Sequence, residues 1–377
     1  MNLRPIRLAM VGGGPGAFIG PVHRMAAELD GRFRLVAGAF SRDAGRNAAA
    51  AASWGARGYG GYRELIAGEV DREDGAELVS IVTPNATHFE IAGAALGAGL
   101  HVISDKPATR TLAEARRLAG AVAASGRLYG LAHVYTGYPM VREARDRVAA
   151  GELGRVRKVV VEYAQGWLSQ PIEREGSRQA AWRADPEQAG AGGCIGDIGV
   201  HAFNLAEFIV GEPVTRLCAD LAAVVPGRVL DDDCNVLLRF EGGARGVLIA
   251  SQISAGARNG LNIQVYGERG GLFWSHERPT ELRLDGLDRP GQTLHAAAPY
   301  LGDAGRAASR LPTGHPEGFI EAFANLYAGM ADAIAAGRSD PAPVPGIAAG
   351  LRAMAFVERA VAASRDEAGW VPLEAAA

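Results

Sequence analysis

Over the first 130 or so residues, short apolar runs of strand length alternate with stretches whose apolar positions recur every three or four residues. Ile6–Val11, Phe33–Phe40, Leu78–Val82, His101–Ser104 and Leu128–His133 are the strand-like runs. Between them, His23–Leu29, Ala44–Trp54, His88–Ala98 and Leu112–Ala124 have helical spacing, and Gly99 is placed to stop the third helix. Strict alternation of this kind predicts a mostly parallel sheet with helices on both faces. After a helix over Met140–Ala150 the rhythm changes. Val156–Tyr163, Val214–Val225, Asn235–Phe240, Ala244–Ser254, Leu261–Tyr266 and Leu272–Ser275 follow as strands, with turn residues at Glu241–Gly243 and Gly267–Gly270. This predicts a large, mostly antiparallel sheet, open on one face, followed by helices over Phe319–Ala335 and Ile347–Ser364. The fold class is therefore α/β: a doubly wound parallel domain over about 1–132 and a second α/β domain over 133–377.

Length and composition agree with two soluble domains: 377 residues, 48% hydrophobic and 21% charged. A net charge of -3 without any basic block argues against nucleic acid as a partner. The three cysteines, Cys194, Cys218 and Cys234, form no CxxC pair, so neither a disulfide framework nor a structural zinc site is expected. Asp231-Asp232-Asp233 precedes a strand and lacks partners at ligand spacing; it reads as a solvated turn, and no metal is expected. The strand pattern starts almost at the first residue, with no cleavage signal and no apolar run of membrane length. A cytoplasmic chain without a membrane partner is the expectation.

Chemistry enters at the end of the first strand. Gly12-Gly13-Gly14-Pro15-Gly16-Ala17 lies between a strand and a helix, which is where a dinucleotide fingerprint belongs. Glycines there permit a tight turn and bring the backbone close to a pyrophosphate at the helix N-terminus. Gly20 is an alternative for the third glycine. At the tip of the second strand, Ser41 and Arg42 precede Asp43. An acidic residue at such a tip suits the ribose of NAD and an arginine suits a 2′-phosphate; the pattern leaves both cofactors open. Further on, Asp197 and His201 are four residues apart, on one face if the stretch is helical. Gly192 and Gly193 before them let a helix N-terminus approach a ligand. A histidine titrates near neutral pH, as proton removal from an alcohol requires. His201 is thus a candidate general base, with Asp197 to hold a substrate hydroxyl and orient the imidazole. Lys106 follows an apolar strand, at the edge where parallel sheets bind ligands, and can stabilise a developing negative charge.

Thr83-Pro84-Asn85-Ala86-Thr87-His88, Asp105-Lys106-Pro107, Ala181-Trp182-Arg183, the run Gly192–His201 and the closing Gly369–Leu373 together resemble the glucose–fructose oxidoreductase / inositol dehydrogenase / MocA family. Asp105 stands where that family usually has glutamate. The resemblance implies a Rossmann domain, NAD with NADP not excluded, and a reacting centre of Lys106, Asp197 and His201. It also implies cofactor contacts from Gly12, Gly14, Pro15, Gly16, Ala17, Phe18, Ile19, Ser41, Arg42, Thr83, Pro84, Asn85, His88, Asp105, Lys106, Trp182 and Arg183. Asn85 and His88 would flank the nicotinamide ribose. Within the family the chain is most similar to inositol dehydrogenases, scyllo-inositol dehydrogenases included, and to related sugar dehydrogenases. A homotetramer is implied as well.

A polyol needs many directional hydrogen bonds and an apolar floor. Tyr135, Tyr163, Gln165, Trp167, Arg178, Asn204 and His315 are the further candidates for substrate contact, beside Lys106, Asp197 and His201. Arg178 and His315 lie in long loops, where function is commoner than a buried structural role. Two rival functions use the same fold: an NAD-dependent glycoside hydrolase and a non-catalytic cofactor sensor. The presence of both Lys106 and His201 weighs against the sensor.

Overall fold

A computed structural model describes residues 4–374 of the chain. The elements run in order β1 (Ile6–Gly12), α1 (Ile19–Leu29), β2 (Phe33–Ala39), α2 (Ala44–Trp54), β3 (Arg57–Gly58), α3 (Tyr62–Val70), β4 (Leu78–Val82), α4 (His88–Gly97), β5 (His101–Ser104), α5 (Leu112–Ser125) and β6 (Tyr129–Leu131). There follow α6 (Pro139–Ala149), β7 (Val156–Ala164), α7 (Arg178–Arg183), α8 (Pro186–Ala189), α9 (Val200–Val210), β8 (Val214–Ala222), β9 (Asp233–Phe240), β10 (Arg245–Ser251) and β11 (Gly260–Gly267). The chain closes with β12 (Gly270–Ser275), β13 (Glu281–Gly286), β14 (Gln292–His295), α10 (Asp303–Ala307), α11 (Phe319–Ala335), α12 (Ile347–Arg365) and β15 (Val371–Pro372).

The chain divides into two compact units, one built from residues up to Gly137 together with Phe319–Leu351, the other from Tyr138–Gly318 together with Arg352 onward. The first holds a six-stranded sheet in the order β3-β2-β1-β4-β5-β6, parallel throughout. Its central strands are apolar on both faces because helices cover both, and β4 is buried at all five positions. The second holds a nine-stranded sheet in the order β14-β13-β12-β11-β7-β10-β9-β8-β15. It is antiparallel except where β7 and β10 run side by side in the same direction. Strand β9 shows why one face is covered: Cys234, Val236, Leu238 and Phe240 are buried, while Asn235 and Leu237 between them are exposed.

The pattern of apolar positions predicted most of these elements, with instructive differences. Helix α1 begins at Ile19 rather than His23. Gly20 and Pro21 look like helix breakers, but they occupy the first turn, where no amide needs an intrahelical acceptor. Strand β8 stops at Ala222, short of Val225, because the amides of Val224 and Val225 turn to the Asp232 carboxylate at 2.7 and 3.0 Å. Helix α3 and strands β13 and β14 have too few apolar residues to stand out. The late helices also part company. The sequence boundary kept both with residues 133–377, whereas Phe319–Ala335 packs in the first unit. Its Tyr327 hydroxyl meets His23 Nδ1 at 2.8 Å and Ser80 Oγ at 2.9 Å. Asn325 Nδ2 donates to the carbonyl of Gly137 at 2.8 Å.

Candidate active site

In the first unit the turn after β1 is shaped by backbone contact. Gly12, Gly13 and Gly16 have φ of 84°, 67° and 91°, which disfavour a side chain. A Cβ on Gly12 would lie 2.7 Å from the carbonyl oxygen of Val82, and one on Gly13 would lie 2.7 Å from Gly20 Cα. A Cβ on Gly20 would come to 1.8 Å from Gly13 O, so Gly20 is the glycine that lets helix and turn pack closely. Around Gly16 nothing lies within 4 Å of such a Cβ. Pro15, Gly16 and Phe18 are exposed, Gly14, Ala17 and Ile19 half-buried, and no side chain caps the start of α1. A glycine cradle at the start of a helix with no side-chain cap fits the pyrophosphate of a dinucleotide. At the tip of β2, Asp43 is taken up in capping α2, accepting from Arg46 N at 2.8 Å. Ser41 Oγ accepts from Asp43 N at 3.1 Å, and the exposed Arg42 is left at the tip. Asn47, which carried no sequence signal, holds the tip by accepting from the amides of Phe40 and Ser41.

Two further turns line the same sheet edge. Thr87 Oγ1 donates to Thr83 Oγ1 at 2.7 Å, and Pro84 leads into a single turn of 3-10 helix over Asn85–Thr87. The His88 ring is 1% exposed, with Nε2 2.7 Å from the Thr83 carbonyl and Nδ1 2.8 Å from the Pro107 carbonyl. It ties the turn after β4 to the turn after β5, so both ring nitrogens serve the backbone. Lys106 is half-buried, and its amide donates to Asp105 Oδ1 at 2.7 Å. Tyr135 is buried nearby in the chain, just after His133. Burial, reinforced by the charge of Lys106, holds His133 at about 3 and therefore neutral.

In the second unit, Asp197 lies in a turn of π-helix over Ile195–Gly199 that runs directly into α9. Its Oδ2 accepts from Arg183 Nε and from Gln252 Nε2, both at 2.9 Å. The Arg183 guanidinium in turn lies 4.2 Å from the Trp182 ring and 5.6 Å from that of Trp167. His201 opens α9, buried, with its ring 6.3 Å from that of Tyr163; Asn204 is half-buried three residues further on. The end of β7 carries a second network. Tyr163 Oη donates to Asn259 Oδ1 at 2.7 Å, Gln165 Nε2 donates to the same oxygen at 2.8 Å, and Trp167 Nε1 donates to Gln165 Oε1 at 2.9 Å. Asn259 Nδ2 continues to His276 Nδ1 at 3.2 Å, and His276 Nε2 meets Tyr138 Oη at 3.0 Å. Gln252, Asn259, His276 and Tyr138 were invisible to sequence reasoning, because only strand pairing brings them to Asp197 and to the end of β7. His315 sits on an exposed loop, its ring against the Pro312 carbonyl at 3.2 Å. Arg178 starts α7, and its side chain lies outside the described residues.

Asp231-Asp232-Asp233 is not a solvated turn. Asp232 is 2% exposed and ion-paired with Arg228 at 3.1 Å, and the half-buried Asp231 carboxylate receives the amides of Gly193 and Ile195 at 2.7 Å each. Buried backbone amides that lack helical partners draw the acids inward.

Comparison with known proteins bears on what these groups do. The pattern described as an oxidoreductase family, NAD-binding Rossmann fold, matches residues 6–133, and that of the GFO/IDH/MocA C-terminal domain matches residues 141–273. An uncharacterised oxidoreductase of Bacillus subtilis, YfiI, is 35% identical over 98% of this chain and 97% of its own. A solved inositol dehydrogenase homologue from Azotobacter vinelandii, complexed with NAD+, superposes with a TM-score of 0.93 at 39% identity, covering 98% of this chain and 97% of that one. The same homologue complexed with NADH and myo-inositol gives 0.90 at 38% identity, covering 98% of both.

Proposed function

This chain belongs to the Gfo/Idh/MocA oxidoreductase family, and on that premise we propose that it oxidises a ring secondary alcohol of a cyclic polyol or sugar to the ketone. The observation that carries the substrate class is the similar solved chain that holds NADH and myo-inositol together. Bound NAD+ supplies the hydride acceptor. The glycine turn and the uncapped start of α1 would hold its pyrophosphate, Ser41 and Arg42 its adenosine ribose, and the turns at Thr83–Asn85 and Asp105–Lys106 its nicotinamide end.

His201 takes the proton from the reacting hydroxyl. Lys106 donates to that oxygen and stabilises the alkoxide as it develops, which lowers the barrier because the charge is larger in the transition state than in the alcohol. Asp197 accepts from a substrate hydroxyl and so orients the ring. Its second duty, to Arg183 and Gln252, fixes that carboxylate in direction. The half-buried Trp167 and Gln165 offer an aromatic face and an amide, joined through Asn259 to the buried Tyr163, which suits a sugar ring.

The test is an absorbance screen for NADH or NADPH formation with inositols and hexoses, NAD+ and NADP+ being run side by side. Turnover of at least one cyclic polyol with NAD+ is expected. Release of aryl alcohol from a chromogenic glycoside, without net NADH, would replace dehydrogenation by glycoside hydrolysis.

A further inference from the structure

The turn that carries Asp197 begins without a side-chain cap of its own: Cys194 precedes it, and its thiol caps no amide of the turn. Its first amides are met from 36 to 38 residues further along the chain. Asp231 Oδ1 accepts from Gly193 N and Oδ2 from Ile195 N, each at 2.7 Å, and the Asp231 carbonyl accepts from Cys194 N at 2.8 Å. The Gly193 carbonyl then receives Asp197 N at 2.9 Å. A line of hydrogen bonds therefore runs from the Asp231 carboxylate through Gly193 to the backbone of Asp197. The glycines before the turn serve this contact, since a Cβ on Gly193 would lie 2.3 Å from the Asp231 carbonyl oxygen. What they admit is the chain's own carboxylate.

Behind it stand two buried thiols, and Cys234 Sγ donates to Asp231 Oδ2 at 3.0 Å. Among the described residues Cys194, Asp231 and Cys234 bring ligand-type atoms within 4.8 Å of one another. Both carboxylate oxygens already hold amide donors, and burial keeps both thiols protonated. The set is a cap, satisfied as it stands.

We propose that Asp231 is a positioning residue for the reaction, its carboxylate fixing the turn from which Asp197 meets the substrate. This rests on the reading that Asp197 takes part in turnover. Asp231 itself touches no reacting atom, so its effect must pass through Asp197.

The experiment uses the full-length protein with myo-inositol and NAD+, and compares Asp231→Asn, Asp197→Asn and the double variant. An amide group in place of the carboxylate has one acceptor for two amides. Hydrogen exchange in the peptide spanning residues 193–199 should rise at least tenfold in Asp231→Asn, while peptides from the sheet of the first unit keep their rates. Its kcat/KM should fall by up to about 10²-fold, the cost of a misplaced group, with the NADH Kd unchanged. The double variant should fall no further than Asp197→Asn alone, which a general loss of stability would not produce. Unchanged exchange, multiplying losses, or stoichiometric zinc that disappears in Asp231→Asn would each overturn the proposal. Inactive Asp197→Asn beside fully active Asp231→Asn removes the positioning role alone; wild-type turnover by Asp197→Asn removes the reading of the site as well. Should Asp231→Asn not fold, Gly193→Ala enters the same cycle, since it displaces Asp231 while leaving its carboxylate intact.

Discussion

His201 and Lys106 have different chemical duties, and the difference is measurable. His201→Ala should lower kcat by roughly 10²–10⁴-fold, the contribution of a positioned acid–base group, while NADH still binds in a fluorescence titration. Near wild-type turnover at every pH would end its assignment as the base. Lys106→Met keeps the apolar stem and removes charge and donors. It should depress kcat and kcat/KM together, because the lost interaction is made in the transition state. Lys106→Arg should not restore activity, a planar fork being a poor substitute for a compact ammonium. A raised KM at unchanged kcat would make Lys106 a plain binding group. Single residues were also where the sequence was most legible: the Asp-x-x-x-His spacing and the lysine after β5 needed no structure to be noticed. The partners of those residues were not legible. Gln252 and Arg183 reach Asp197 across 55 and 14 positions, and nothing in either residue's neighbourhood announces the contact.

Among the elements, the β1–α1 junction is held by glycine against glycine. Gly20→Ala would drive a Cβ to 1.8 Å from a backbone oxygen, where no side chain can yield, so α1 must move off the turn. A loss of about 1–3 kcal/mol in a urea melt is expected, with weaker NADH binding. Gly120→Ala is the control: it lies within α5 with nothing within 4 Å of the added Cβ, and should stabilise by about 0.4–1 kcal/mol. Equal behaviour of the two variants would show that the packing at Gly20 is not what matters. The glycine run was read correctly as a turn, but the helix start was placed four residues late. Composition alone cannot tell a helix breaker from a first-turn residue.

At the scale of the whole molecule, two buried histidines make stability depend on pH. Burial lowers His23 to about 4, opposed by Asp105 and aided by His88; burial, then Lys106, lowers His133 to about 3. Folding therefore favours their neutral forms. The stabilisation is complete above the ordinary histidine value near 6.5 and drains away as pH falls, to about 4 for His23 and about 3 for His133. At pH 5 each costs about 2 kcal/mol, from 1.5 pH units at 1.36 kcal/mol apiece. Urea midpoints should fall from pH 7 to pH 5, and His23→Gln should flatten part of that fall. The same pH slope in wild type and His23→Gln would show that His23 is not responsible.

The amino-acid sequence by itself determined the class of fold and the presence of a dinucleotide turn, though not which nicotinamide cofactor it takes. The periods of its apolar positions specify which segments are strands and helices, and a glycine turn after a first parallel strand is a local device. It also put Lys106, Asp197 and His201 in view, since each stands at a short, recognisable spacing. Tertiary structure decided what local pattern cannot encode. Which unit Phe319–Ala335 joins depends on Tyr327 finding His23 and Ser80, some 250 to 300 residues away. Whether Asp231 and Asp232 are wet or buried depends on amides left open at Gly193, Ile195, Val224 and Val225. An acidic run has the same composition in either place; only the folded backbone's unmet hydrogen bonds draw it inside.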